Sequence, residues 1–85
     1  MRYVLLEVYD IQPKKTIIWE YLCEIINKNS FRLLYYKNIY SKNWIKWGIK
    51  NHNEEFIVYK KRNVLIKEKY TEKEFFKKYF PVLLK

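Results

Sequence analysis

Apolar residues in this chain recur at two different spacings, and the spacing changes at Pro13, so one class of secondary structure cannot account for all of it. From Arg2 to Tyr9, Val4, Leu6 and Val8 alternate with Tyr3, Leu5 and Tyr9, which predicts a central strand covered on both faces. Asp10-Ile11-Gln12-Pro13 interrupts it, because proline fixes its own φ and turns its predecessor away from helix. From about Lys14 onward, Ile17, Ile18, Tyr21, Leu22, Ile25 and Ile26 follow an i, i+1, i+4, i+5 stripe with Glu20, Glu24 and Lys28 opposite. That pattern predicts an amphipathic helix leaving at Asn27-Lys28-Asn29-Ser30.

Phe31 to Tyr40 lacks helical spacing and reads as a strand. Ile45, Trp47 and Ile49 then alternate with Lys46, Gly48 and Lys50, predicting a second strand; the competing reading makes Ser41 an N-cap and residues 42–50 a short helix. After a turn at Asn51-His52-Asn53, Glu55–Lys61 and Val64–Tyr70 read as two β runs joined as a hairpin. Thr71-Glu72-Lys73-Glu74 is a capping box, in which the Thr hydroxyl and the Glu carboxylate each satisfy the other's free backbone N–H. It starts a helix whose stripe is Phe75, Phe76, Tyr79 and Phe80 and whose end is marked by Pro81. The expected fold is α+β, a small two-layer sandwich in the order β-α-β-β-β-β-α, with an antiparallel or mixed sheet of four to five strands and two helices on one face.

At 85 residues, the expectation is one basic domain over residues 1–85 with too little volume for a deep pocket. Cys23 is the one cysteine and cannot form an intramolecular disulfide. No apolar run approaches the roughly 20 residues that span a bilayer, and no leader pattern opens the chain, so a cytoplasmic protein without a membrane partner is expected, in the host cytoplasm if the protein is viral. Lys 15, Ile 10, Tyr 9, Asn 7 and Phe 5 make up 46 of the 85 residues, and all five have AT-rich codons, so part of the +9 net charge is genomic background.

Little in the chain fits catalysis. A zinc site wants four Cys or His ligands, and Cys23 and His52 are the only candidates; the acids are too scattered for a magnesium site. No cofactor is expected, since Gly48 is the sole glycine and a phosphate-cradling loop cannot be built from it. Val8-Tyr9-Asp10-Ile11 resembles the end of the first strand in the small subunit of the CRISPR adaptation complex, over about ten residues. That resemblance implies a ferredoxin-like fold with a helix after the strand and Asp10 as a metal-site aspartate; the downstream strands share no such pattern. The plain reading of Asp10 is a turn residue binding nearby backbone N–H groups.

Charge distribution carries more. Residues 25–53 contain no acid, yet they hold Lys28, Arg32, Lys37, Lys42, Lys46 and Lys50 interleaved with Tyr35, Tyr36, Tyr40, Trp44 and Trp47. Such a surface suits single-stranded nucleic acid, where cations track phosphates and aromatic rings stack bases. The expected interface is Arg32, Lys37, Lys42, Lys46, Lys50, Tyr36, Tyr40 and Trp44, with a second patch at Lys60, Lys61 and Arg62. The opposing reading makes these lysines a solvated face and the tryptophans core. The expected function is non-enzymatic binding of RNA, single-stranded DNA or a host ribonucleoprotein, in the manner of a phage or mobile-element inhibitor of host defence such as an anti-CRISPR protein. Two alternatives remain open. One is a metal-independent ribonuclease of the toxin–antitoxin type using His52, Arg62 and Tyr59. The other is a protein–protein module or homodimer with an exposed aromatic face.

Overall fold

In the computed structural model, residues 2–13, 15–48 and 54–83 are described. Strands β1 (Tyr3–Gln12), β2 (Lys15–Asn27), β3 (Ser30–Asn38), β4 (Ile45–Lys46), β5 (Ile57–Tyr59) and β6 (Val64–Tyr70) are followed by one helix, α1 (Glu72–Leu83). The expected sandwich with two helices is therefore wrong: the protein is a mostly antiparallel sheet with a single C-terminal helix. Its strand order is β4-β3-β2-β1-β6, and β5 pairs with β3 on the same side as β4.

The error lies in β2. Its doublets Ile17-Ile18, Tyr21-Leu22 and Ile25-Ile26 satisfy a helical stripe, but in an extended chain each doublet places one residue on either face. Thr, Ile, Trp and Tyr dominate the segment, and β-branched and aromatic side chains fit a pleated sheet better than a helix turn. Lying between β1 and β3, β2 buries Leu22 on one face and Cys23 on the other, both with no exposed surface. Pro13 is a hairpin turn rather than a break, since Gln12 pairs with Lys15 and all of β1 pairs with β2. A strand follows Asp10 in place of a helix, so the ferredoxin-like order is also overturned, and no group of three metal-ligating side chains occurs among the described residues.

Val4, Leu6, Cys23, Phe31, Leu33, Val58 and Val64 form one buried cluster on the inner face. Because Val58 belongs to β5 and Val64 to β6, the two ends of the sheet meet, which a flat sheet forbids. Irregularities at Leu5/Leu6, Leu22/Cys23 and Ile25/Asn27 interrupt the pairing, and extra residues of this kind bend and twist strands. For the same reason β5 and β6 do not pair as a hairpin: β5 lies on β3, β6 lies on β1, and residues 60–63 cross between them.

On the outer face, α1 covers Tyr3, Leu5, Leu22 and Tyr70 with Phe75 and Tyr79. The capping box forms as expected: Glu74 Oε1 accepts from Thr71 N–H at 3.0 Å and Thr71 Oγ1 from Glu74 N–H at 3.2 Å. Pro81 sits within the last turn rather than beyond it. β4 is only two residues long, neither the expected longer strand nor a helix, and Gly48 ends it with a φ of 101° that a β-carbon would resist.

Candidate nucleic-acid interface

Antiparallel β2 and β3 are joined by a turn in which Asn27 Oδ1 accepts from Asn29 N–H at 2.9 Å, leaving Lys28 exposed at its tip. Lys60 N–H donates to Asn29 O at 2.9 Å, so the start of the 60–63 link is held against that turn. Its far end is held by β1: Tyr9 N–H donates to Asn63 O at 2.8 Å and Asn63 Nδ2 to Tyr9 O at 3.0 Å. The link thus sets Lys60 beside the Lys28 turn, and Lys61 and Arg62 continue this basic corner toward Tyr9, where Arg62 lines a concavity with Ile11 and Thr16. Tyr59, at the end of β5 and opposite Ser30, is 58% exposed beside them.

The carboxylates are committed elsewhere. Glu24 Oε1 lies 2.6 Å from Arg32 Nη1, and Glu24 Oε2 lies 3.4 Å from Arg2 Nη2. The chain extends to Glu72, 3.3 Å from Arg2, and to Glu55, 3.0 Å from Arg32 Nε, close enough for charge attraction though not aligned as a hydrogen bond. Lys37 Nζ lies 2.8 Å from Glu20, with both side chains mostly buried, and also sits 5.4 Å from the Trp44 ring centroid. Lys67 pairs with Glu7 at 3.1 Å and Lys78 with Glu68 at 3.2 Å. Hydrogen bonds from Tyr9 and then Lys67 hold the Glu7 carboxyl below the ordinary range, and those from Tyr70 and then Lys78 do the same for Glu68. Among the described residues, Lys28, Lys42, Lys46, Lys60, Lys61 and Arg62 have no carboxylate within 4.0 Å.

The residues expected to form one interface are therefore distributed. Arg32 and Lys37 are neutralised within the outer-face ion pairs. Tyr36 packs on the inner cluster, 6.0 Å from the Trp47 ring, and Trp44 packs on the outer one, 6.0 Å from the Tyr79 ring. Tyr40 is 83% exposed and Lys42 and Lys46 are exposed on and beside β4, whereas Lys50 and His52 lie outside the described residues. From Ser30 to Asn38, β3 spans about 26 Å at its usual rise, so Lys42 and the Lys60 corner stand at opposite ends of it. Sequence spacing alone misses Lys28, because a helix would place it on a solvated side far from residue 60; only the β3–β5 pairing brings the two together.

Comparison with family models, curated proteins and solved structures finds no match to this chain. No helix among the described residues is long and apolar enough to cross a membrane.

Proposed function

We propose that the protein is a non-enzymatic binder of single-stranded nucleic acid, RNA or DNA, and that it engages the phosphate backbone at the corner of Lys28, Lys60, Lys61 and Arg62. The observation that carries this reading is the partition of charge. Glu7, Glu20, Glu24, Glu55, Glu68 and Glu72 are occupied by Arg2, Arg32, Lys37, Lys67 and Lys78, while the four corner cations are left to an outside anion. Concentrated unpaired charge of this kind raises the local concentration of a polyanion, and the exposed Tyr59 ring offers a stacking plane. Lys69, Lys73 and Lys77 are exposed too, along β6 and the helix, and extend the positive field without converging on the corner. An inhibitor of host defence could use the same corner to hold the RNA of a host ribonucleoprotein.

Fluorescence anisotropy with labelled oligo-uridylate and oligo-thymidylate, read over a salt series, tests this. Single-stranded binding weakens with a log–log salt slope of about 0.7 per neutralised phosphate, so four cations predict a slope near −3. Changing Lys60, Lys61 and Arg62 together to Glu should lower affinity roughly tenfold or more and flatten that slope by about 2. Lys42→Glu at the other end of β3 should cost far less. Absence of wild-type binding at low salt, or equal binding by the triple variant, would overturn the reading. RNA should be recovered intact; cleavage would favour the ribonuclease alternative.

A further inference from the structure

Away from the basic corner, a cleft of about 320 Å³ opens between α1 and the β3–β4 edge. It arises because the helix points Phe75 and Tyr79 at the sheet but turns Phe76 and Phe80 sideways, leaving them 44% and 51% exposed. Opposite them stands Tyr35 on β3, with Tyr3 of β1 also in the lining, Lys46 at the β4 side, and Trp47 at the edge, its ring turned to Tyr36 and Phe56 on the inner cluster. The Trp47 backbone N–H donates to Leu34 O at 2.9 Å and closes the β3–β4 edge of the cleft, while its indole Nε1–H donates to Glu54 O on the inner side.

The lining selects its ligand in three ways. Aromatic walls on both sides favour a flat apolar body, since offset and edge-on ring contacts add to simple burial. No acid lines the cleft, and its single cation, Lys46, has no carboxylate partner among the described residues. A neutral ligand gains nothing from that exposed ammonium, a cationic one is repelled by it, and a single carboxylate matches its one charge. The Tyr3 and Tyr35 hydroxyls have no protein hydrogen-bond partner among the described residues and remain available as donors. A volume near the lower end for ligand sites admits roughly a dozen non-hydrogen atoms.

We propose that this cleft binds a small aromatic monocarboxylate, its ring between Phe76, Phe80 and Tyr35 and its carboxylate on Lys46. The site is independent of the nucleic-acid reading, because none of its residues belongs to the basic corner. Titration calorimetry of the full chain with indole-3-acetate, 3-methylindole and decanoate provides the test, with circular dichroism confirming that each variant is folded. Indole-3-acetate should bind saturably at one site; 3-methylindole, which lacks the carboxylate, should bind at least tenfold more weakly, and so should decanoate, which lacks the ring. Lys46→Gln should lower affinity for indole-3-acetate about tenfold while leaving 3-methylindole unchanged, and Phe76→Ala should weaken both. Equal binding of the acid and 3-methylindole, tighter binding of decanoate, or no effect of Lys46→Gln would overturn the proposal, as would a cleft that takes up none of the three.

Discussion

The inner face of the sheet is closed without a helix, its fully buried residues aliphatic apart from Phe31 and Cys23 and flanked by Tyr21, Tyr36 and Trp47, whereas the outer face needs a helix, which covers Leu5 and Leu22 with tyrosines and phenylalanines and is bordered by ion pairs. On the inner side the sheet curls until Val58 and Val64 meet, so burial there depends on β1, β2, β3, β5 and β6 at once. On the outer side α1 docks through Phe75, stacked 4.3 Å from the Tyr3 ring, and Tyr79, whose hydroxyl lies 3.0 Å from that of Tyr70. The contrast shows how a chain this short can cover two faces of one sheet: curvature supplies one core, and a capped helix with large aromatic side chains supplies the other.

That contrast can be broken most directly at Phe31. Phe31→Ala should cost about 3–5 kcal/mol, a large part of the stability of a domain this size, and should lower the melting temperature by some 15 °C or more. Phe75→Ala removes a ring of the same size, so chemical denaturation should show a cost of about 3 kcal/mol, with helical ellipticity lost before sheet signal; simultaneous loss would mean that the two cores act as one.

A smaller effect is expected at the helix start. Thr71→Ala removes the cap on the Glu74 N–H and should cost about 1 kcal/mol in thermal denaturation, with Thr71→Ser restoring most of it. Finally, falling pH should act on the outer face. Carboxyls of Glu7, Glu68 and Glu74 are held below the ordinary 4.5, so the stability they lend is complete above that value and is lost as the pH falls through their lower folded values. Burial, then the bond to Glu68, pushes the Tyr70 phenol up to about 12, and burial raises Tyr79 as well. The Tyr70 contribution is complete below pH 10 and disappears as the pH rises through about 12. On the inner face burial raises the Cys23 thiol and the Tyr21 phenol as well, so the test is made in acid: near-ultraviolet dichroism of the helix-side tyrosines should change first as the pH falls, and loosening of the inner cluster ahead of them would contradict the assignment of the paired carboxylates to the outer face.

Several elements are legible in the amino-acid order. β1 is readable as a central strand because both of its faces are apolar, β3 and β6 by their β-forming residues and turn boundaries, and the start of α1 by its capping box. β2 is not, because paired apolar residues fit a helix stripe and a two-sided strand equally well, and the choice rests on neighbours the local sequence does not contain. Glu20 and Glu24, which a helix would place on its wet side, instead lie on the outer face holding Lys37, Arg2 and Arg32. The same rearrangement removes Arg32 and Lys37 from the pool of unpaired cations and adds Lys28.

By itself, then, the sequence determined the apolar inventory, the excess of cations, the β-forming segments and the capped helix, since these follow from residue type and short-range spacing. Tertiary structure decided that β2 is extended, that the sheet curls on itself, and which cations remain unpaired. Those outcomes depend on which strands lie side by side: a long-range pairing such as Ser30 with Tyr59 sets the surroundings of Lys28 and Lys60 together, and neither residue's local sequence encodes it.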